Sequence, residues 1–170
     1  DLAELALLIS DEADGADELN RYAVTLADRA VSAAPNDPNT WRYRALMHIR
    51  VGNLESAIAD LEKVTDLQPG NFRPWYELAL LKLEIEDREG YEKTCREMIK
   101  AIPPSRSPLI EQFVTWTAAL AAVPLDDWAP LIDRAAFAVE VQTASMEYHK
   151  NLGAVFLRAG HLAKAFEELL

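Results

Sequence analysis

NTWRYRALMHIRVGNLESAIADLEKVTDLQP, residues Asn39–Pro69, is the stretch that decides the fold. Its apolar positions fall at helical spacing in two runs, about Thr40–Val51 and Leu54–Leu67. Gly52-Asn53 separates them, a pair that stops one helix and turns the chain into the next. Pro69 closes the second run, because proline donates no N–H and pushes its predecessor out of the helical region. The stretch therefore reads as helix, turn, helix, stop.

The same reading returns one period later. Pro35, Pro69 and Pro103 stand 34 residues apart, and Trp41 and Trp75 keep that interval. Laid over Arg73–Pro104, the positions Trp41, Ala45, Ala57, Leu61, Val64 and Pro69 fall on Trp75, Ala79, Tyr91, Cys95, Met98 and Pro103. The second unit has helices over about Pro74–Ile85 and Gly90–Ile102. A fixed period of this length in a helical chain signals stacked helix–turn–helix units that share their cores with their neighbours. The alanines admit close helix approach, and the tryptophans fill the seams. Burying each indole removes ~150–250 Å² from water, about 4–6 kcal/mol as an upper estimate.

Further copies flank these two. Leu5–Pro35 carries Ala23, Ala27, Ala30 and Pro35 at second-helix positions, with Asp14-Gly15 as its turn. Ser107–Ala144 keeps helical spacing (Phe113, Trp116, Leu120; Leu131, Ala135, Val139) in a degenerate fourth unit. His149, Leu152, Gly153, Phe156, Gly160 and Ala165 restore the pattern in a fifth. The expected fold is all-α, a right-handed α-solenoid of about five repeats in one domain over 1–170. The repeats span approximately 4–37, 38–71, 72–105, 106–145 and a truncated 146–170. Phe166, Leu169 and Leu170 lack a partner within the last unit, so a longer protein, or another chain covering that end, is expected.

These residues resemble the tetratricopeptide repeat: a large aromatic, a leucine and a small residue, a further aromatic, an alanine, and a closing proline. Trp41, Ala45, Gly52, Ala57, Leu61 and Pro69 lie on that motif, while Arg44 and His48 replace a leucine and an aromatic. Tyr91 replaces the small alanine, which is expected to part its two helices slightly. Shorter phrases, Tyr91–Met98, Thr115–Thr117 and Asn151–Gly160, are similar to repeat tails of large bacterial multidomain proteins, some of them serine/threonine kinases or propeller proteins.

The resemblance implies a protein–protein interaction module that binds an extended segment along a concave face made by first helices. By position, that face holds Arg42, Tyr43, Leu46, Ile49 and Arg50, then Arg73, Tyr76 and Leu80. Phe113 and Thr117 follow, and Lys150, Asn151 and Arg158 close the set. Basic and aromatic residues gather there, which suits an acidic partner segment. In an alternative reading these arginines only pair with carboxylates of neighbouring helices. The family's clamp for a C-terminal carboxylate needs Lys and Asn near Leu8 and Glu12, and this chain has neither. Two further alternatives are a self-associating scaffold joined through the C-terminal end and the regulatory tail of an upstream enzyme such as a kinase.

Composition narrows the classes. A net charge of −11 opposes sequence-independent binding to nucleic acid or anionic membranes. The single cysteine, Cys95, cannot form an internal disulfide. Phe113–Leu125 is too short to span a bilayer and reads as a buried helix; a cytoplasmic location is the default.

The residues carry little chemistry. His48 and His149 hold aromatic motif positions and are expected in the core, and His161 follows Gly160 in a turn. No two histidines have the i, i+4 spacing of a helical metal site. Cys95 falls on an inward position as a small apolar residue. Asp126-Asp127 precedes Trp128 as an N-cap, and Glu167-Glu168 is a solvated face. The glycines stand singly, so no phosphate loop is present. No enzyme activity, metal or cofactor is expected.

Overall fold

The structure, a computed structural model, describes residues 13–169, with side chains from Glu18 onward. The expected first helix around Leu5 and the clamp positions Leu8 and Glu12 lie outside the described residues, as does Leu170. Among the described residues there are nine helices and no strand. They are α1 (Ala13–Ala33), α2 (Pro38–Arg50), α3 (Leu54–Leu67), α4 (Phe72–Glu84) and α5 (Arg88–Ala101). α6 (Pro108–Ala119), α7 (Ala129–Val141), α8 (Met146–Arg158) and α9 (Leu162–Leu169) follow. The chain divides into two compact units, Asp1–Gln68 and Pro69–Leu170.

The period of the sequence reappears as a period of hydrogen bonds. Asp37 and Asn71 each accept the N–H two residues on, opening α2 and α4. Asn53 and Asp87 each accept the N–H three residues on, opening α3 and α5. These side chains satisfy donors that a helix start leaves orphaned. Between the helices of three pairs, α2–α3, α4–α5 and α8–α9, the chain passes through the left-handed region, at Gly52 (φ 74°), Glu86 (φ 58°) and Gly160 (φ 79°). The following N–H reaches back five residues each time: Asn53 to His48, Asp87 to Lys82 and His161 to Phe156. One turn is thus built three times, twice with glycine.

In the first unit, Ala27 and Val31 of α1, Ala45 of α2, and Ala57, Leu61 and Val64 of α3 are buried. Arg44, where a leucine belongs, makes a two-pronged bond to the buried Asp60 at 2.8 and 2.6 Å and a third to Asp28 at 3.0 Å. Its guanidinium lies 4.9 Å over the Trp41 ring. His48 sits in the same cluster, with Nε2 3.9 Å from Asp60. The two departures from the apolar motif therefore form one polar tie joining α1, α2 and α3. Asp14 and Gly15 lie inside α1 rather than in a turn.

In the second unit one apolar core runs from Trp75 through Met98, Val114, Leu131 and Leu152 to Ala165. Ala79, Tyr91, Cys95 and Val123 form a smaller one beside it. Tyr91 reaches toward the next helix pair: its buried hydroxyl donates to the Thr117 carbonyl at 2.6 Å and accepts from Ala121 N–H at 3.0 Å.

The run Phe113–Leu125 is not one helix, since α6 ends at Ala119. Residues 120–128 form an irregular connector to α7. Arg158 bonds its start from outside, donating to the carbonyl of Leu120 (3.2 Å) and to that of Ala119 at the end of α6 (2.9 Å). The N-cap of α7 is Trp128 rather than the acidic pair; Asp127, one residue ahead of it, accepts from Ala129 N–H at 2.8 Å.

Candidate functional site

α6 begins at Pro108 and presents Leu109, Gln112, Phe113 and Trp116 at i, i+3, i+4 and i+7, which places them on one face. That face walls a cleft of about 500 Å³ in the second unit. Tyr76 of α4 closes one side, and Glu147 and Lys150 of α8 flank the other. Phe113 stacks on Phe72 at 4.7 Å between centroids and meets Tyr76 edge-on at 5.2 Å, so the floor is a fixed aromatic ladder. The rim stays open to water. Leu109 is 48% exposed and Trp116 is 37% exposed.

The cleft offers unused polar groups. The Trp41 and Trp75 indoles donate to Pro35 and Pro69 carbonyls, but the Trp116 Nε1–H has no acceptor among the described residues. The side-chain amide of Gln112 likewise has no partner there, although its backbone carbonyl accepts from Asn151 at 3.3 Å.

Of the residues expected to line a groove, the structure brings Tyr76, Phe113 and Lys150 together in this cleft. Arg73 and Leu80 are exposed one turn to either side of Tyr76 on α4. Tyr43 and Arg50 are exposed on α2, and Arg42, Leu46 and Ile49 are half-buried there. Thr117 and Asn151 do not reach a surface. The Thr117 hydroxyl donates to the Phe113 carbonyl at 2.6 Å, and Asn151 Nδ2 donates to Thr115 Oγ1 at 2.7 Å inside the α6–α8 contact. The Arg158 guanidinium is spent on capping α6. For Thr117 the degenerate fourth unit is the reason, because counting outward from an absent aromatic misplaces the register on α6; Asn151 and Arg158, on α8, are drawn inward by their bonds to α6.

Leu109, Gln112, Trp116 and Glu147 escaped the sequence reading. One signal for Leu109 was present: it lies six residues after Pro103, where Trp41 and Trp75 follow their own prolines.

Elsewhere the titratable groups serve structure. Burial pushes the Cys95 thiol up to about 12, and burial likewise raises the Tyr91 hydroxyl. His149 is not a core histidine. Its Nδ1 lies 2.6 Å from Glu168 and its Nε2 3.1 Å from the Thr143 carbonyl; together they hold the imidazole above its ordinary value. Among the described residues no group of three or more His, Cys, Asp and Glu side chains could hold a metal ion. No helix there is long and apolar enough to cross a membrane.

Paired helices with a 34-residue period, closing prolines and small residues at the helix contacts define a tetratricopeptide-repeat fold, and solved structures of that fold are similar to this chain. YrrB, described as a TPR protein with an unusual peptide-binding site, is 12% identical and matches 89% of this chain and 75% of its own, with a TM-score of 0.59. MamA from Desulfovibrio magneticus RS-1 is 17% identical over 88% of this chain and 81% of its own, with a TM-score of 0.56. A tetratricopeptide repeat protein from Parabacteroides merdae is 13% identical over 89% of this chain and 57% of its own, at a TM-score of 0.50. At these identities the likeness is one of fold. No family model and no curated protein matches the chain.

Proposed function

We propose that the protein is a protein–protein interaction module that holds a segment of its partner in the cleft walled by α6. The observation that carries this reading is the exposed apolar rim, Leu109 and Trp116, above a fixed aromatic floor. Exposed large apolar groups around a concavity are where binding energy concentrates. The peptide-binding site named for YrrB belongs to a protein of the same fold and lends the reading support by analogy alone.

The test is selection of a random peptide library on the wild-type chain and on Trp116→Ala, with circular dichroism as the control for folding. Peptides enriched on the wild type are expected to lose most of their binding to the variant. Equal enrichment on both overturns the assignment. Tyr43 and Arg50 on α2 and Arg73 and Leu80 on α4 are proposed as further contact positions within their own units. Arg73→Glu tests this on α4.

Self-association keeps one observation in its favour: Leu162, Phe166 and Leu169 are exposed along α9. Sedimentation over a range of concentrations tests it, and a strict monomer at high concentration ends that alternative.

A further inference from the structure

The chemistry of the cleft also selects its occupant, on the reading above that the cleft is the partner-binding site. Glu147 and Lys150 stand three residues apart on α8 and both line the cleft. Neither makes an ion pair with another described residue. α5 shows that this chain does form intrahelical pairs, Lys93–Glu97 and Arg96–Glu92. The cleft therefore holds one uncommitted carboxylate and one uncommitted ammonium beside an apolar floor. A segment of a single charge sign leaves one of the two covered and opposed, which costs affinity.

The remaining polar groups suit a backbone. The carboxamide of Gln112 both donates and accepts, and the Trp116 indole donates only. Set in the apolar stripe, they match a peptide unit of an extended chain rather than a wholly apolar small molecule.

We infer that the cleft takes an extended peptide segment whose apolar anchor side chain, seated on Phe113 and Trp116, is flanked by one basic and one acidic residue. The basic flank meets Glu147 and the acidic flank meets Lys150. Arg158, which would have tilted the balance toward an acidic ligand, is occupied at the end of α6.

The experiment is a selection of a random linear peptide library on the wild type and on the exchange variant Glu147→Lys plus Lys150→Glu. Both positions are exposed, so the exchange leaves the fold intact. Peptides selected on the wild type are expected to carry an apolar residue between opposite charges in a fixed order. They should bind the exchange variant about 3- to 10-fold more weakly at low salt. The variant should enrich the reversed order. Trp116-dependent peptides without charged flanks, or with one charge sign throughout, overturn this inference and leave the cleft standing as the binding site. Absence of any Trp116-dependent peptide overturns both.

Discussion

The indole Nε1–H of Trp75 donates to the main-chain carbonyl of Pro69 at 2.8 Å. Trp41 makes the same bond to Pro35, also at 2.8 Å. A tryptophan six residues after each closing proline thus clasps the turn that the proline makes, and the 34-residue period of both residues is the period of the clasp. Trp75 is 7% exposed and belongs to the main core, whereas Trp41 is half-buried. Trp75→Phe, which keeps a ring and removes the donor, is expected to cost about 1–2 kcal/mol. Trp75→Ala should cost about 3–5 kcal/mol. Denaturant unfolding measures both, and hydrogen exchange should place the lost protection in α4, α5 and α6. A neutral Trp75→Phe variant would show that the clasp adds nothing to packing.

The third proline, Pro103, has Leu109 six residues on, which has no donor for a clasp. A buried ion pair stands in: the Glu111 carboxylate accepts from Arg134 Nε and from Ser105 N–H, and Arg134 donates to the Ile102 carbonyl at 3.0 Å. Both residues are almost wholly buried, at 1% and 6% exposure. Glu111→Leu alone strands the guanidinium and is expected to destabilise by about 3–5 kcal/mol. Adding Arg134→Met should recover most of that loss, because a buried pair replaced by packed apolar groups is near neutral. Thermal unfolding of the two variants decides it. A double variant no better than the single one would mean that the pair is needed for the turn itself.

The sequence was legible where one residue type does one local job. Gly52, the closing prolines, the seam alanines and the buried Cys95 all stand as their spacing implies. It was illegible where distant residues share a job. Nothing near Arg44 announces Asp28 and Asp60, which together make an arginine stable in a leucine's place. Nor does the connector 120–128 reveal that Tyr91 and Arg158 will bond the backbone of its first residues. Without those partners the run Phe113–Leu125 looks like continuous helix. The cleft was half legible for the same reason: Tyr76 and Lys150 follow from units that keep the motif, while Leu109 and Trp116 depend on a repeat that lacks its aromatic.

His149 couples the last helix to pH. A carbonyl and an ionised carboxylate are both acceptors, so the two contacts of His149 are satisfied together only by the doubly protonated ring. Its raised value, due first to Glu168 and then to Thr143, means that the contribution to stability is complete below about pH 6.5. It fades as pH rises through the folded-state value. Exchange protection in α9 should therefore be greater at pH 6 than at pH 9, and His149→Gln should flatten the difference. Partial exposure of both side chains keeps the effect small. An NMR titration of His149 with a midpoint at or below the ordinary value would contradict the sign.

Cys95 reports the integrity of the second unit. It is fully buried, its thiol lies 3.8 Å from the Thr117 carbonyl, and burial holds its ionisation near 12. Since the thiolate is the reactive form, a disulfide reagent at pH 8 should leave the native protein unmodified. It should react fully in denaturant. Tyr91→Phe strands the Thr117 carbonyl and the Ala121 N–H, a loss of about 1–3 kcal/mol. The variant should therefore show measurably faster labelling in native buffer. Equal labelling rates would uncouple the hydroxyl from the packing around Cys95.

Glu86 carries the one positive φ outside glycine among the described residues, at 58°. Gly52 and Gly160 hold the equivalent place in the other two turns, with the same back-reaching N–H after each. A side chain in the left-handed region costs roughly 1–2 kcal/mol. Glycine regains most of that and gives back part through its freer unfolded chain. Glu86 is exposed and appears in no ion pair among those of the described residues, so its removal forfeits little. Glu86→Gly should therefore raise stability by about 0.5–1 kcal/mol, and Gly52→Ala should lower it by about 1 kcal/mol. Chemical denaturation of the two variants tests the pair together. A stabilised Gly52→Ala, or a destabilised Glu86→Gly, would mean that backbone strain does not govern this turn.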